Sequence, residues 1–355
     1  MKTEKKNVTK NTVASEKQQS LLFLILVFLI ISFLILDIFL GSVSIKASDV
    51  IKALFNNTDS NFATIILKFR LPKAFTALIV GIALSISGLQ MQTVFRNPMA
   101  GPDVLGISSG ASLGVAFVIL GFSANLSPDR INEFGNWILA IAAWAGAGAV
   151  MILIMFISTR VKDIMTILIL GIMLSSGISA IVTIMQYFSN ESMLKAYVIW
   201  TMGSLGNLTS SQLNVLLVSV FVGMVLSLIS AKMLNALLLG ENYASSIGLN
   251  VKFSRIVIFS CTSILTGSVT AFCGPIGFIG IAMPHIARIL FKTSDHKILV
   301  PGTILTGGAV MLASDIISQL PGSETVLPLN AVTSLIGIPI VIWVILRNRK
   351  YSGIF

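Results

Sequence analysis

Ten apolar stretches, each long enough to cross a bilayer and separated by short segments that hold most of the charge, constrain this chain more than any single residue does. A hydrocarbon core of about 30 Å takes about 20 apolar helical residues to cross, because every backbone N–H and C=O must find its partner within the segment. The stretches run near 21–40, 74–95, 104–122, 137–158, 164–188, 212–231, 254–273, 276–291, 298–318 and 329–346. Hydrophobic residues make up 55% of the 355 positions and charged ones 11%, with a mean hydropathy of +0.93, so water could not wet the surface of such a chain. The fold class expected is an all-α polytopic membrane protein.

The run from Ser254 to Phe291 reads either as one kinked helix or as a hairpin turning at Gly274-Pro275. Charge parity favours the hairpin. With ten crossings both termini share a side, where Lys2, Lys5, Lys6, Lys10 and Lys17 join Arg347, Arg349 and Lys350. The loops of that side add Arg96, Arg160, Lys162, Lys232, Lys252, Arg255, Arg288, Lys292 and Lys297, which places 17 of the 24 positives together. Positive loops stay cytoplasmic, so both termini are expected inside. The implied domains are a cytoplasmic tail over 1–20, one transmembrane domain over 21–346 and a second cytoplasmic tail over 347–355. Leu21–Leu40 exceeds a signal-peptide core and is read as a retained first helix.

The net charge of +10 is dispersed over short loops and points to topology, not to nucleic acid. Cys261 and Cys273 lie twelve residues apart on one expected helix, about 18 Å along its axis, and cannot bridge each other. No ionisable residue stands in the middle of a stretch: Asp37 and Asp315 lie toward segment ends, and Glu133, Glu191 and Glu324 fall in loops. That disfavours an ion-coupled secondary carrier. His285 and His296 read as an ordinary helix-end residue and a loop residue, and no metal site is expected. The chain lacks GxxxxGK[ST], so energy for active transport would have to enter through another protein. A membrane enzyme finds no catalytic cluster here.

Small residues mark where helices meet. Gly106, Gly110 and Gly114 form two overlapping GxxxG units, and Ala142, Ala143, Ala145, Gly146, Ala147, Gly148 and Ala149 make a second run. Three loops add detail. In the turn from Arg96 to Asp103, two prolines and a glycine stop the helix and Asp103 can cap the next one. The stretch from Lys232 to Val251 reads as a pair of half-length amphipathic helices broken at Gly240 and Gly248, suited to dock into a cytoplasmic partner or to lie on the membrane surface as a connector. On the outer side Lys46, Lys52, Lys68, Arg70 and Lys73 cluster against the charge rule. Snorkelling anchors account for one or two; an acidic protein partner accounts for Arg70 and Lys73 together, held by Pro72 on an exposed first turn.

The segment RLPKAFTALIVGIALSISGLQMQTVFRNPMAGPDVLGISSGASLG, residues 70–114, resembles the FecCD-type permeases of binding-protein-dependent ATP-binding cassette importers for iron chelates, haem and vitamin B12. The similarity resumes at LNALLLGENYASSIGLNV and continues through GPIGFIGIAMPHIARIL and the segment from Asp295 to Leu346. The resemblance implies a vitamin B12 permease-like fold in a bacterial inner membrane. It implies a homodimer, or a heterodimer with a paralogue, above two cytoplasmic ATPase subunits and below a solute-binding protein. ATP and Mg would be bound by the ATPases, and no cofactor by this chain. It assigns ATPase coupling to 234–250, with Leu239, Gly240, Glu241, Ala244, Ile247 and Gly248 at its centre, and binding-protein docking to Arg70 and Lys73. A cytoplasmic gate falls on Asn97, Met99, Ile164 and Met165, and Gln90, Met91, Met173 and Ser175 are the expected path lining. The chain departs from the family at Gln319, where many members carry arginine, and at Lys162–Met165, which lacks small hydroxyl residues. The cargo implied first is an iron–siderophore, then haem or vitamin B12.

Overall fold

The computed structural model describes residues 2–41, 43, 45–55, 61–121, 136–319 and 326–348. Among them only helices, turns and irregular segments occur. The C-terminal tail from 349 and the carboxylates Glu133 and Glu324 lie outside the described residues.

Each of the ten apolar stretches coincides with a helix. Helix α1 (Lys2–Phe39) precedes two short helices, α2 (Ala47–Phe55) and α3 (Asn61–Ile65). The last of these runs through a π-helical turn, Ile66–Arg70, straight into α4 (Leu71–Val94). Next come α5 (Ile107–Ala116), α6 (Asn136–Arg160), α7 (Ile164–Phe188), α8 (Glu191–Thr201) and α9 (Ser210–Leu238). The chain ends with α10 (Glu241–Ser246), α11 (Val251–Cys273), α12 (Ile279–Phe291), α13 (His296–Ser318) and α14 (Leu329–Asn348). Seven of these are long and apolar enough to cross a membrane; Ile107–Gly121, Ile279–Phe291 and Leu329–Val344 are apolar but shorter.

The hairpin reading of 254–291 holds. Helix α11 ends at Cys273, Gly274 takes φ +76°, and α12 begins only at Ile279 after an irregular segment. Between the two helices packs α4, the hub of the bundle, which also touches α9 and α13. Its residues from Ala83 to Val94 are all buried. The second body of the core joins α5, α6 and α7, with α11 bridging the two.

Glycine sets these distances. A Cβ on Gly88 of α4 would collide with the Gly280 carbonyl of α12, and one on Gly81 with the Gly307 carbonyl of α13. On α5, a Cβ at Gly110 would meet the Gly146 carbonyl, and one at Gly114 the Ala142 carbonyl. The two small-residue runs read from the sequence are thus one contact, α5 against α6, backbone on backbone.

Two expectations are corrected. The segment 234–250 is not a pair of half-helices: Leu234–Leu238 is the end of α9, and only the six residues of α10 stand free of it. His296 is not a loop residue but the first residue of α13, buried, with its ring bonded to Asn235 Oδ1 at 2.7 Å and Thr93 Oγ1 at 2.8 Å. His285 is buried too, 2.7 Å from the Pro98 carbonyl oxygen.

Gly146 and Gly148 separate packing from composition, because a Cβ at Gly148 meets nothing within 4 Å. We expect Gly146→Ala to destabilise the purified protein by about 1–3 kcal/mol and Gly148→Ala to leave its melting temperature nearly unchanged. Equal melting of the two variants would refute the close α5–α6 contact.

Candidate functional site

A cavity of about 440 Å³ opens between α5, α7, α8, the irregular segment before α12 and the start of α14. Its walls carry hydroxyls: Ser108, Ser109 and Ser112 from α5, Ser179 and Thr183 from α7, and Thr201 from α8. Gln186, Tyr197, Asn330 and one carboxylate, Asp103, complete the polar lining. The place is set by chain breaks. Gly106, at φ +76°, lets the chain turn from the 3-10 segment Pro102–Leu105 into α5, and 274–278 does the same before α12. Two short helices therefore begin at the cavity wall. The irregular backbone there is held by side chains, as when Asn330 Oδ1 accepts the Gly277 N–H at 3.0 Å.

Of the expected lining, Gln90 and Met91 are corrected. Both are wholly buried in α4, where Gln90 Oε1 accepts the Thr262 hydroxyl at 2.9 Å and Nε2 lies 3.2 Å from Cys261 Sγ. Met173 lies on α7 but is 64% exposed on another face. Ser175 sits one turn before Ser179, its hydroxyl bonded to the Gly171 carbonyl at 2.9 Å and packed at Gly106. The sequence signal at this wall is a stripe, Ser175, Ser179, Thr183 and Gln186, spaced by four, four and three along an otherwise apolar helix. Helix α8, which brings Tyr197, was missed because eleven residues with Glu191 and Lys195 cannot read as a span; Asn190 caps it through Met193 N at 3.0 Å.

A second constellation occupies the end of the bundle where α9 passes into α10. Gly240 adopts φ +106° and Gly248 φ +88°, so the breaks expected at these glycines are present. Ala244 is fully buried, whereas Leu239 and Ile247 are exposed, which gives α10 one inward anchor and two outward apolar side chains. Glu241 points inward to Arg255 of α11. Arg255 Nε donates to Glu241 Oε1 at 2.9 Å and Nη2 reaches both carboxylate oxygens at 2.6 Å. The same guanidinium donates to the carbonyls of Val161 at 3.1 Å and Lys162 at 2.5 Å, which end α6. One buried arginine therefore ties α10 to the turn between α6 and α7.

The two halves of the expected gate hang from different anchors. Ile164, buried, and Met165, exposed, start α7 beside the carbonyls that Arg255 holds, with Asp163 capping them through Met165 N and Thr166 N. The Thr166 hydroxyl and amide keep the Asp163 carboxyl below its ordinary range. Asn97 and Met99 lie in the turn after α4, where Asn97 Oδ1 accepts the Met99 N–H at 2.9 Å. That turn is anchored to α12 through Pro98 and His285 and reaches α10 through Arg96, whose Nη1 lies 3.1 Å from where a Gly240 Cβ would be. The segment around α10 thus meets the first turn at Arg96 and reaches the second through Arg255.

The expectation for Arg70 and Lys73 is corrected in its geometry. Arg70 is 8% exposed and not on an open turn: its Nη1 donates to the Ile38 and Phe39 carbonyls at 3.1 and 3.0 Å, and Nη2 to that of Val43. It satisfies the carbonyls left over at the end of α1. Lys73 pairs with buried Asp315 at 2.9 Å, and Gln319 bridges Asp315 to Asp37 of α1, donating at 3.3 and 2.6 Å. Lys46, Lys52 and Lys68 are the exposed members of the cluster.

A double-mutant cycle tests the clamp. Arg255→Met should cost about 3 kcal/mol of stability, since it strands the Glu241 carboxylate and two chain-end carbonyls. Adding Glu241→Gln should recover part of that loss. A double variant as unstable as the summed singles would show that the pair is not coupled.

A model of the FecCD transport family matches residues 25–347. The hemin transport system permease protein HmuU of Yersinia pestis is 35% identical over 315 residues, 88% of this chain and 92% of that protein. The vitamin B12 import system permease protein BtuC of Escherichia coli O9:H4 is 34% identical over 284 residues, 80% of this chain and 84% of that one. The solved structure of an inward-facing metal-chelate type ABC transporter superposes with a TM-score of 0.78 at 25% identity, covering 92% of this chain and 99% of its own. A polytopic helical chain matched along almost its whole length in this way is a member of the FecCD transport family.

Proposed function

We propose that this chain is the membrane-spanning subunit of an ATP-binding cassette importer, and that the hydroxyl-lined cavity is part of the path for a metal chelate, an iron–siderophore first. Ten crossings with both termini cytoplasmic put α10 on the inside and Lys46, Lys52 and Lys68 on the outside. Two such subunits, identical or paralogous, flank the path. Two ATPase subunits bind ATP and Mg and grip α10 through Leu239 and Ile247, and a solute-binding protein delivers cargo from the outer face. The observation that carries this reading is the reach of the coupling segment: Gly240 against Arg96, and Glu241 through Arg255 to Val161 and Lys162. A push on α10 reaches both turns that stand where a gate belongs, without a single bond being made or broken in the cargo. The bundle then exchanges two packed arrangements.

Hemin and vitamin B12 are named for the two relatives at almost equal identity, so both belong in the cargo panel. In proteoliposomes holding the permease with its ATPases, chelate should accumulate only when ATP and loaded binding protein are both supplied. Gly248→Pro should abolish ATP hydrolysis stimulated by the binding protein, because proline cannot take φ +88°. Uptake by the permease alone, driven by an ion gradient, would make it a secondary carrier and overturn the proposal.

Docking on the outer face falls to the exposed lysines, with Arg70 and Lys73 holding the helices behind them. Replacing Lys46, Lys52 and Lys68 together by Glu should slow association of an acidic binding protein by about tenfold or more at low salt, and flatten its salt dependence. An on-rate unchanged at every ionic strength would rule these lysines out.

A further inference from the structure

The cavity wall mixes hydroxyls and amides with the apolar Ile178, Val182, Pro275 and Ile276, and it is charged at one point. Among its fifteen described lining residues Asp103 is the single formal charge, and neither lysine nor arginine lines the wall. The carboxylate is not spent on the protein. Ser108 Oγ donates to Oδ1 at 2.5 Å, and Oδ2 has no protein partner among the described residues, while the side chain is open to the cavity. The start of α5 at Ile107 sets positive peptide ends close by, worth about half a charge, which leaves the site net negative. The other polar groups on the wall donate or accept hydrogen bonds without charge: serine and threonine hydroxyls, two amides and a phenol.

We infer that Asp103 makes this cavity a passage for neutral or cationic metal chelates bristling with carbonyl and hydroxyl groups, and a poor one for anionic chelates. The inference rests on the importer reading and sharpens its cargo. A cargo rich in oxygens exchanges water for wall hydroxyls at little net cost, as hydrogen bonds of similar strength replace one another. Its overall charge is what the wall can tell apart, since a carboxylate with no counter-charge on that wall acts over several ångströms. An anionic chelate meets an unopposed like charge; a cationic one meets its counter-charge.

The test uses one scaffold with two charges: an iron-labelled linear ferric trihydroxamate ending in an ammonium group, and the same chelate with that amine succinylated to a carboxylate. Each is equilibrated with the purified permease–ATPase complex in lipid nanodiscs without binding protein, so that the preference read is the permease's own. Wild type should retain the ammonium form about tenfold better or more. Asp103→Asn should bring the ratio near unity, Asp103→Glu should preserve it, and Ser109→Asp, adding a second carboxylate to the same wall, should widen it. Equal retention of the two forms by wild type, retention of neither, or a ratio moved by neither Asp103→Asn nor Ser109→Asp overturns the inference. The importer reading fails separately: it falls if wild type with its binding protein accumulates no chelate on ATP, whereas normal uptake without charge preference removes only the role of Asp103.

Discussion

Backbone groups exposed where a helix stops are the constraint on which the rest of this structure depends. In lipid no water is at hand to bond them, so every break inside the bundle needs a side chain. The same device recurs. Arg70 takes the last carbonyls of α1, Arg255 those just after α6, Asn330 the N–H of Gly277 and His285 the carbonyl of Pro98, while Gln92 donates to the Ile281 carbonyl within α12 at 2.9 Å. Arg288 in turn donates to Gln92 Oε1 at 2.5 Å. Buried polar residues that would be costly anywhere else in such a chain are therefore the fasteners that permit short helices, and the short helices are what leave room for a cavity.

That arrangement has a mechanical corollary. A side chain that caps one helix while standing on another couples the two, because moving either leaves a buried group unpaired. Arg255 joins three pieces in this way: its own helix, the carbonyls that close α6, and Glu241 at the head of α10. At glycines, where α4 meets α12 and α13 and α5 meets α6, backbone lies directly on backbone, so the helices sit close. Helix α4 is held to both neighbours by side chains as well, Gln92 to Arg288 and Thr93 to His296.

The sequence makes the fold legible because its signals are long-range averages over twenty residues. The apolar stretches, the break at Gly274-Pro275 and the two small-residue runs as sites of close packing all rest on periodicity or on glycine, and all recur in the structure, which adds that the two runs meet each other. The site is harder, since which way a helix faces is decided by its neighbours. Gln90 and Ser179 look alike as polar residues on apolar helices, yet one is sealed in the hub against Thr262 and Cys261 and the other lines the cavity. A stripe does not separate them, since Gln90 stands in a row with Ser87 and Thr93 as Ser179 does with Ser175, Thr183 and Gln186; the packing of neighbouring helices does. Arg70 is a comparable case. A cation beside Pro72 reads as a helix start on the surface, but the π-helical turn before it continues the helix and swings the guanidinium under the end of α1.

The outer cluster shows what becomes of charge in such a setting. Asp37, Asp315 and Lys73 meet where α1, α4 and α13 converge, two carboxylates to one ammonium, with Gln319 as the neutral bridge. Arginine at 319 would balance the charge and reach outward; glutamine draws inward instead, and binds both carboxylates with one amide nitrogen. Asp37 Oδ2 is left with no hydrogen-bond partner among the described residues. Lys73 and Arg70 are consumed by these internal demands, which leaves Lys46, Lys52 and Lys68 as the exposed cations of the cluster. Surface charge here is what remains after the chain's own breaks have been closed.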